Sequence, residues 1–123
     1  MELQQTGPIY KILTREQWAS AQAAGVFEGS GIDLQDGFIH FSTAKQLKTT
    51  AEKHFSGQSN LLVFAVDPLD LGSQLKWEPS RNNDLFPHLY AGVQLGQVKN
   101  IWPLDWENDS GFLFPPEILD SKQ

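Results

Sequence analysis

The sequence contains no cysteine and no long apolar run, and each absence excludes a class of protein. Without cysteine, the 123-residue chain can form neither disulfides nor thiolate metal sites. The longest apolar run, Leu61–Val66, is far shorter than the roughly 20 residues of a membrane-spanning helix. The amino-terminal residues lack the basic and apolar regions of a signal peptide. We therefore expect a cytoplasmic protein with no membrane partner.

Basic residues are few and scattered, which argues against a nucleic-acid partner. Nine lysines and arginines stand against fifteen acids, for a formal net charge of −6. Binding to nucleic acid through phosphates usually needs a basic stripe, and none is visible. A small anionic ligand held by one or two specific groups is still compatible with this charge. The three histidines, at positions 40, 54 and 88, lack metal-ligand spacing, so we expect no metal.

The order of helix and strand signals predicts a single α+β domain. Two early helices are each opened by a capping box, Thr14 with Gln17 and Thr43 with Gln46. Strand signals occur at Ile9–Leu13, Phe38–Ser42, Leu61–Val66, Leu75–Glu78, Pro87–Leu95 and Gln97–Trp102. Two helices followed by a strand-rich second half are typical of α+β folds. We expect one domain over 1–123, with a core at about 9–106 and loose tails.

The first candidate site residues, His40 and Ser42, follow a turn at Asp36-Gly37. Side chains two apart on a strand share a face, so His40 and Ser42 are expected on one face together with Phe38. Polar groups among core-forming neighbours need partners or a ligand. The structural alternative is that His40 bonds a backbone carbonyl and Ser42 begins the cap of the next helix.

The second candidate is the pair His88 and Tyr90 on a later strand. These two side chains share a face with Gly92, whose bare backbone allows close approach of a ligand. An imidazole beside a phenol suits a pocket wall. The alternative is a half-buried strand with its polar face in water.

The third candidate is Glu78 with Arg81. Glu78 ends an apolar strand, where a carboxylate can be partly desolvated and its pKa tuned. Arg81, in the adjoining loop, can bind a phosphate or carboxylate bidentately. The alternative is a solvated surface pair.

Two of these segments together resemble a known family. Asp36–Ser42, DGFIHFS, and Phe86–Gly92, FPHLYAG, resemble motifs of small bacterial proteins called domain of unknown function 952 (DUF952). The segments Ile9–Ile12 and Leu75–Glu78 fit as well, so the similarity extends over about Ile9 to Trp106. The family in turn looks like a distant member of the ADP-ribosyltransferase-like superfamily.

The superfamily resemblance implies a split, twisted sheet whose cleft takes NAD as a substrate, without a Rossmann glycine loop or a tightly bound cofactor. It implies that His40 hydrogen-bonds a ribose hydroxyl and that Ser42 positions the same half of NAD. It also implies that Tyr90, beside His88, stacks on nicotinamide. Arg81 or Lys11 would bind the phosphates of NAD.

The same resemblance implies a catalytic glutamate, for which Glu78 is the nearest choice. Glu78 lies earlier than the usual final-strand position, where the chain offers only Glu107. With His40 and Glu78 as catalytic groups, the first hypothesis is an NAD-dependent transferase or hydrolase. The second is a non-catalytic module that binds a nucleotide or another small ligand. A third is a protein-interaction domain using surface tryptophans, Trp102 and Trp106. The acceptor and the oligomeric state are left open.

Overall fold

The protein, described by a computed structural model over residues 7–80 and 83–119, alternates short strands with helices. In chain order the elements are β1 (Ile9–Thr14), α1 (Arg15–Ala24), β2 (Val26–Phe27), α2 (Ile32–Asp36), β3 (Ile39–His40), β4 (Ser42–Thr43), α3 (Ala44–Phe55), β5 (Leu61–Val66), β6 (Leu75–Pro79), β7 (Leu85–Leu89), β8 (Val93–Gln94), β9 (Val98–Glu107), β10 (Gly111–Leu113) and α4 (Pro116–Leu119). The predicted α+β class is confirmed.

The two predicted helices form where their capping boxes lie. In each box the threonine hydroxyl accepts the backbone N–H of the glutamine three residues on, and the glutamine side chain accepts the threonine N–H. Gly25, in the left-handed conformation at φ 82°, ends α1. None of the helices in the described residues is long and apolar enough to cross a bilayer.

The strands form antiparallel sheets of five, three and two strands. The five-stranded sheet has the order β10-β9-β5-β1-β4, the three-stranded sheet β3-β7-β6, and the third sheet pairs β2 with β8. The chain changes sheets at Phe41, whose backbone N–H donates to the carbonyl of Pro87 at 3.0 Å. The single strand predicted over Phe38–Ser42 is therefore wrong, because its two halves belong to different sheets.

The core lies on both faces of the five-stranded sheet, and β5 is buried along its whole length. One face carries a cluster that includes Phe64 and joins α1, β2 and the three-stranded sheet. The other carries a cluster that includes Val63 and joins α3, β9 and β10. The predicted surface tryptophans, Trp102 and Trp106, are half-buried and pack against this second cluster.

Gly92, predicted to let a ligand approach, instead lets β2 approach. A Cβ at this position would lie 2.8 Å from Val26 Cγ2, 3.0 Å from Glu28 Oε1 and 3.3 Å from the carbonyl oxygen of Phe27. The missing side chain therefore serves packing within the chain.

Replacing Gly92 by alanine should destabilise the fold by about 1–3 kcal/mol, because the added methyl group overpacks against β2. The control is Gly96→Ala, since a Cβ there meets nothing within 4 Å. We expect the control to change the free energy of unfolding, measured in urea, by no more than about 0.5 kcal/mol. Equal urea midpoints for the two variants would show that the close approach to β2 does not matter.

Candidate functional site

The candidate site lies on the face of the three-stranded sheet that is turned away from the core. Strand pairing sets His40 opposite His88 and His88 opposite Lys76, which forms a row across the three strands. Ile39 and Leu89, the neighbours of these histidines, are buried in the first core cluster. Because side chains alternate along a strand, both imidazoles lie on the opposite face.

Phe38 lies at the centre of three polar rings. Its ring centre is 4.2 Å from that of His88, which it stacks on at 28°. The centre of His40 is 4.6 Å away and that of Tyr90 is 5.2 Å away. The two imidazole centres are 5.4 Å apart. The structure thus brings together His40, His88 and Tyr90, which the sequence analysis placed in one cleft.

Glu78 joins two of these rings through one oxygen. Its Oε1 accepts the Tyr90 hydroxyl at 2.9 Å and lies 2.7 Å from Nδ1 of His88. A carboxylate only accepts, so the His88 proton in this contact is on Nδ1. Hydrogen bonds from His88 and Tyr90 lower the pKa of Glu78, and the bond to Glu78 raises the pKa of Tyr90. Glu78 is therefore an ionised group of the site at neutral pH.

Asp33 in α2, which the sequence analysis missed, holds the other histidine. Its Oδ1 accepts the backbone N–H of His40 at 3.1 Å and lies 2.6 Å from Nδ1 of the same residue. Its Oδ2 accepts the backbone N–H of Ser30 at 3.0 Å and pairs with Nζ of Lys11 at 2.7 Å. Lys11 also donates to the carbonyl oxygen of His40 at 3.2 Å. Backbone and ring of His40 are thus fixed by one ion pair.

The pair of Asp33 and Lys11 is removed from water, Asp33 being only 2% exposed and Lys11 7%. Burial alone would raise the pKa of Asp33, but the hydrogen bond from His40 and the charge of Lys11 outweigh it and lower that pKa to about 2. Burial lowers the pKa of Lys11, and Asp33 opposes that shift. Lys11 is therefore bound inside the protein and is not the phosphate ligand that the sequence analysis offered as one option.

The solvent edge of the site is formed by His40 and Asp36. Nε2 of His40 lies 3.0 Å from Oδ2 of Asp36, and the two side chains are 31% and 39% exposed. A ligand that binds Nε2 must share it with this carboxylate. The arrangement suits a ligand hydroxyl, which can donate to the carboxylate beside the imidazole.

Ser42 does not join these residues, and its predicted place on the face of His40 is wrong. Because the chain changes sheets at Phe41, Ser42 pairs with Tyr10 in the five-stranded sheet. Its hydroxyl lies 2.9 Å from that of Thr50 in α3, and the residue is buried. Arg81, the remaining predicted ligand-binding residue, lies outside the described residues.

A family model described as "Protein of unknown function (DUF952)" matches residues 12–101, which contain His40, Glu78, His88 and Tyr90. The chain belongs to the DUF952 family. The family resemblance stated from the two sequence motifs is thereby confirmed.

Solved structures similar to this DUF952 chain are those of protein CC0527 from Caulobacter crescentus. The crystal structure has a TM-score of 0.86 and 45% sequence identity, and the match covers 90% of this chain and 97% of that one. The solution NMR structure of the same protein has a TM-score of 0.76 and 48% identity, covering 85% and 90%. No curated protein matches the chain.

The third histidine of this DUF952 chain, His54, is exposed on α3, away from the two imidazoles that meet at Phe38. Within residues 7–80 and 83–119, no three or more histidine, aspartate or glutamate side chains are placed to hold a metal ion.

The pKa of Asp33 predicts where this DUF952 protein loses stability in acid. The folded value of about 2 lies below the ordinary one, so ionised Asp33 stabilises the fold above the unfolded pKa, about 3.9, and this contribution is lost as the pH falls toward 2. Between about pH 5 and about pH 2, the free energy of unfolding measured in urea should fall by about 1–2 kcal/mol more in the wild type than in Asp33→Asn, because asparagine does not titrate.

The control for this comparison is Glu52→Gln on α3. Glu52 pairs with Lys48 at 3.7 Å in an exposed position, so the loss of unfolding free energy between the two pH values should differ from that of the wild type by under about 0.5 kcal/mol.

Asp33→Asn leaves Lys11 without its buried partner and should itself lower the free energy of unfolding by about 3–5 kcal/mol at neutral pH. An NMR titration of the Asp33 carboxyl carbon in the wild type supplies its pKa independently. A titration midpoint near 4 would contradict the ion pair.

Proposed function

We propose that this protein binds a nucleotide, with NAD as the first candidate, on the face formed by Phe38, His40, Glu78, His88 and Tyr90. The observation that carries the proposal is the convergence of three polar rings on Phe38, with each imidazole held through Nδ1 by a carboxylate. Holding several polar side chains in one arrangement costs conformational entropy and adds little stability to the fold unless a ligand binds to them.

Tyr90 supplies the stacking surface of the proposed site. It is 40% exposed, and its hydroxyl is fixed by Glu78, so the ring is held in place while part of it faces solvent. A planar base or a nicotinamide ring gains about 0.5–1.5 kcal/mol beyond area burial by stacking on such a ring. This agrees with the stacking role that the ADP-ribosyltransferase-like resemblance gives to Tyr90.

The exposed edge of His40 supplies the contact to ribose. Its Nε2 lies beside Asp36, and a ribose hydroxyl at this edge would donate to the Asp36 carboxylate and contact the imidazole. The resemblance gives the same partner to a histidine on an early strand. Because Asp33 and Lys11 fix His40 from behind, this contact would be preorganised.

Glu78 is the carboxylate that the proposed reaction needs. Breaking the bond between nicotinamide and ribose leaves the electron pair on nicotinamide and develops positive charge at the ribose C1′ carbon. Water or another nucleophile then forms the new bond to C1′ and releases its proton to solvent. Both contacts to Glu78 use Oε1, which leaves Oε2 available, and the low pKa keeps the group charged to stabilise the cation.

Binding is tested with His40→Asn, because asparagine can still donate to Asp33 from the place of Nδ1 but has no Nε2. We expect NAD to raise the melting temperature of the wild type, and its affinity to fall about 2–10-fold in His40→Asn, the value of one hydrogen bond. Calorimetric titration supplies the affinities.

Two controls accompany this variant. His54→Ala changes an exposed histidine on α3, and Ser42→Ala removes the hydroxyl bound to Thr50 on the other side of the five-stranded sheet. Both should bind NAD as the wild type does, although Ser42→Ala should be less stable by about 1 kcal/mol. Wild-type affinity in a folded His40→Asn variant, or loss of affinity in Ser42→Ala, would refute the site.

The chemical step is tested with Glu78→Gln, which keeps an oxygen acceptor for His88 and Tyr90 but removes the charge. Nicotinamide release from NAD should fall about 100-fold or more, because the carboxylate is needed when charge develops, whereas NAD affinity should change much less. Glu52→Gln on α3 is the matched control and should release nicotinamide at the wild-type rate. Tight NAD binding with no release by the wild type would favour the non-catalytic module instead.

A further inference from the structure

The short helix α2 reverses the usual amphipathic pattern of a surface helix. Its one buried residue is the carboxylate Asp33, whereas its two large aliphatic residues, Ile32 and Leu34, are 56% and 66% exposed. A surface helix ordinarily packs its apolar side chains on the core and turns its charges to water. The aliphatic side chains of α2 instead belong to neither core cluster of the described residues.

The position of α2 is fixed, so the exposure of its aliphatic residues is a property of the fold. Oδ2 of Asp33 accepts the backbone N–H of Ser30 and pairs with Lys11. The backbone N–H of Asp33 donates to the carbonyl of Ser30 at 2.8 Å, and its carbonyl accepts the N–H of Gly37 at 2.9 Å. These contacts hold the helix with its carboxylate inward and its aliphatic side chains outward.

Helix geometry places one of these aliphatic residues beside an exposed carboxylate. Successive residues of an α-helix are rotated by about 100°, so Ile32 and Leu34 lie on opposite flanks when Asp33 points inward. Residues four apart share a flank, and Asp36 therefore lies on the flank of Ile32. Asp36 contacts His40 through Oδ2 and is itself partly exposed. This flank of α2 thus presents an aliphatic side chain and a carboxylate together.

The charges of the segment that carries α2 are all negative. Residues 28–37, EGSGIDLQDG, include three acids and no base. Lys11, which reaches this segment, is buried in its pair with Asp33. Within residues 7–80 and 83–119, no lysine or arginine pairs with the two exposed acids, Glu28 and Asp36. A partner that covers Ile32 therefore gains from a positive charge placed near Asp36.

We propose that α2 docks a partner protein whose contacting segment carries aliphatic side chains and a lysine or arginine. The aliphatic side chains cover Ile32 and Leu34, and the cation lies at Asp36. A second copy of this chain is disfavoured because its net charge is −6. A membrane surface is disfavoured because anionic lipids would repel Glu28 and Asp36. The proposal does not rest on NAD binding, since neither aliphatic residue belongs to the face proposed for NAD.

Three acetylated and amidated pentapeptides test the proposal on the full chain: LLRLL, its charge-reversed form LLELL and its polar form SSRSS. In an NMR titration, LLRLL should shift the amide resonances of residues 30–37, because only this peptide supplies both aliphatic surface and positive charge. The other two should shift them at least about fivefold less. Equal shifts with LLELL or with SSRSS, or no shift with LLRLL, would overturn the proposal.

Ile32→Ser tests the aliphatic contact, and Leu69→Ser is its matched control. Leu69 is 78% exposed in the 3-10 helix Pro68–Asp70, where Asp70 is paired with Lys99 at 3.2 Å. Both substitutions change exposed side chains, so both variants should fold. Ile32→Ser should weaken binding of LLRLL about three- to tenfold, and Leu69→Ser should bind it as the wild type does. Wild-type affinity in Ile32→Ser would overturn the proposal.

Asp36→Asn tests the charge and should weaken binding of LLRLL about two- to fivefold, as expected for an exposed ion pair. Asp105→Asn removes an equal charge from an exposed position of β9 and should have no effect. Equal losses in both would reduce the effect to net charge and overturn the proposal.

Two further measurements on the wild type and Ile32→Ser distinguish the other occupants of α2. Self-association of the wild type that is lost in Ile32→Ser, measured by analytical ultracentrifugation, would assign α2 to a second copy of the chain. Binding to phosphatidylcholine vesicles that is lost in the same variant would assign it to a lipid surface. Either result would overturn the proposal, and we expect the wild type to do neither.

Discussion

The ion pair between Lys11 and Asp33 joins the three parts of the molecule on which the candidate site depends. Lys11 belongs to β1 in the five-stranded sheet, Asp33 to α2, and the histidine that both contact, His40, to β3 in the three-stranded sheet. A buried pair of this kind brings little net stability, since desolvation offsets much of the attraction, but losing one partner is costly. We infer that its main effect is to favour one arrangement of α2 and β3 over the core.

The change of sheets at Phe41 distributes the polar residues of the motif DGFIHFS over two environments. Before the change, Phe38 and His40 belong to the face where the rings converge. After it, Ser42 faces α3 and bonds Thr50. Two residues that look equivalent in a two-residue repeat therefore have different contacts: His40 presents a partly exposed ring edge, and the Ser42 hydroxyl lies within hydrogen-bond distance of that of Thr50 in α3.

Local sequence signals predicted most of the helices and strands. The residues that were missed or misplaced are those whose position depends on contacts with distant parts of the chain. The capping boxes fixed α1 and α3 because each is complete within four residues. The alternation along a strand correctly put His88 and Tyr90 on one face, where both contact Glu78. Asp33 was missed because its importance comes from Lys11, 22 positions earlier, whose side chain reaches it only in the folded sheet. Ser42 and Gly92 were misjudged because a strand pattern shows neither a change of sheets nor the neighbouring β2.

The charges around the rings also limit how a dinucleotide could lie in the proposed site. Asp36 and Glu78 are the acids nearest to the exposed ring edges, so a diphosphate placed beside His40 would be repelled. Lys76 lies across β6 and β7 from His88, on the same face, and is exposed. In the proposed binding mode the phosphates would be attracted by Lys76 and repelled by Glu78, two residues further along β6 and on the same face, so they would lie at the Lys76 end of that strand.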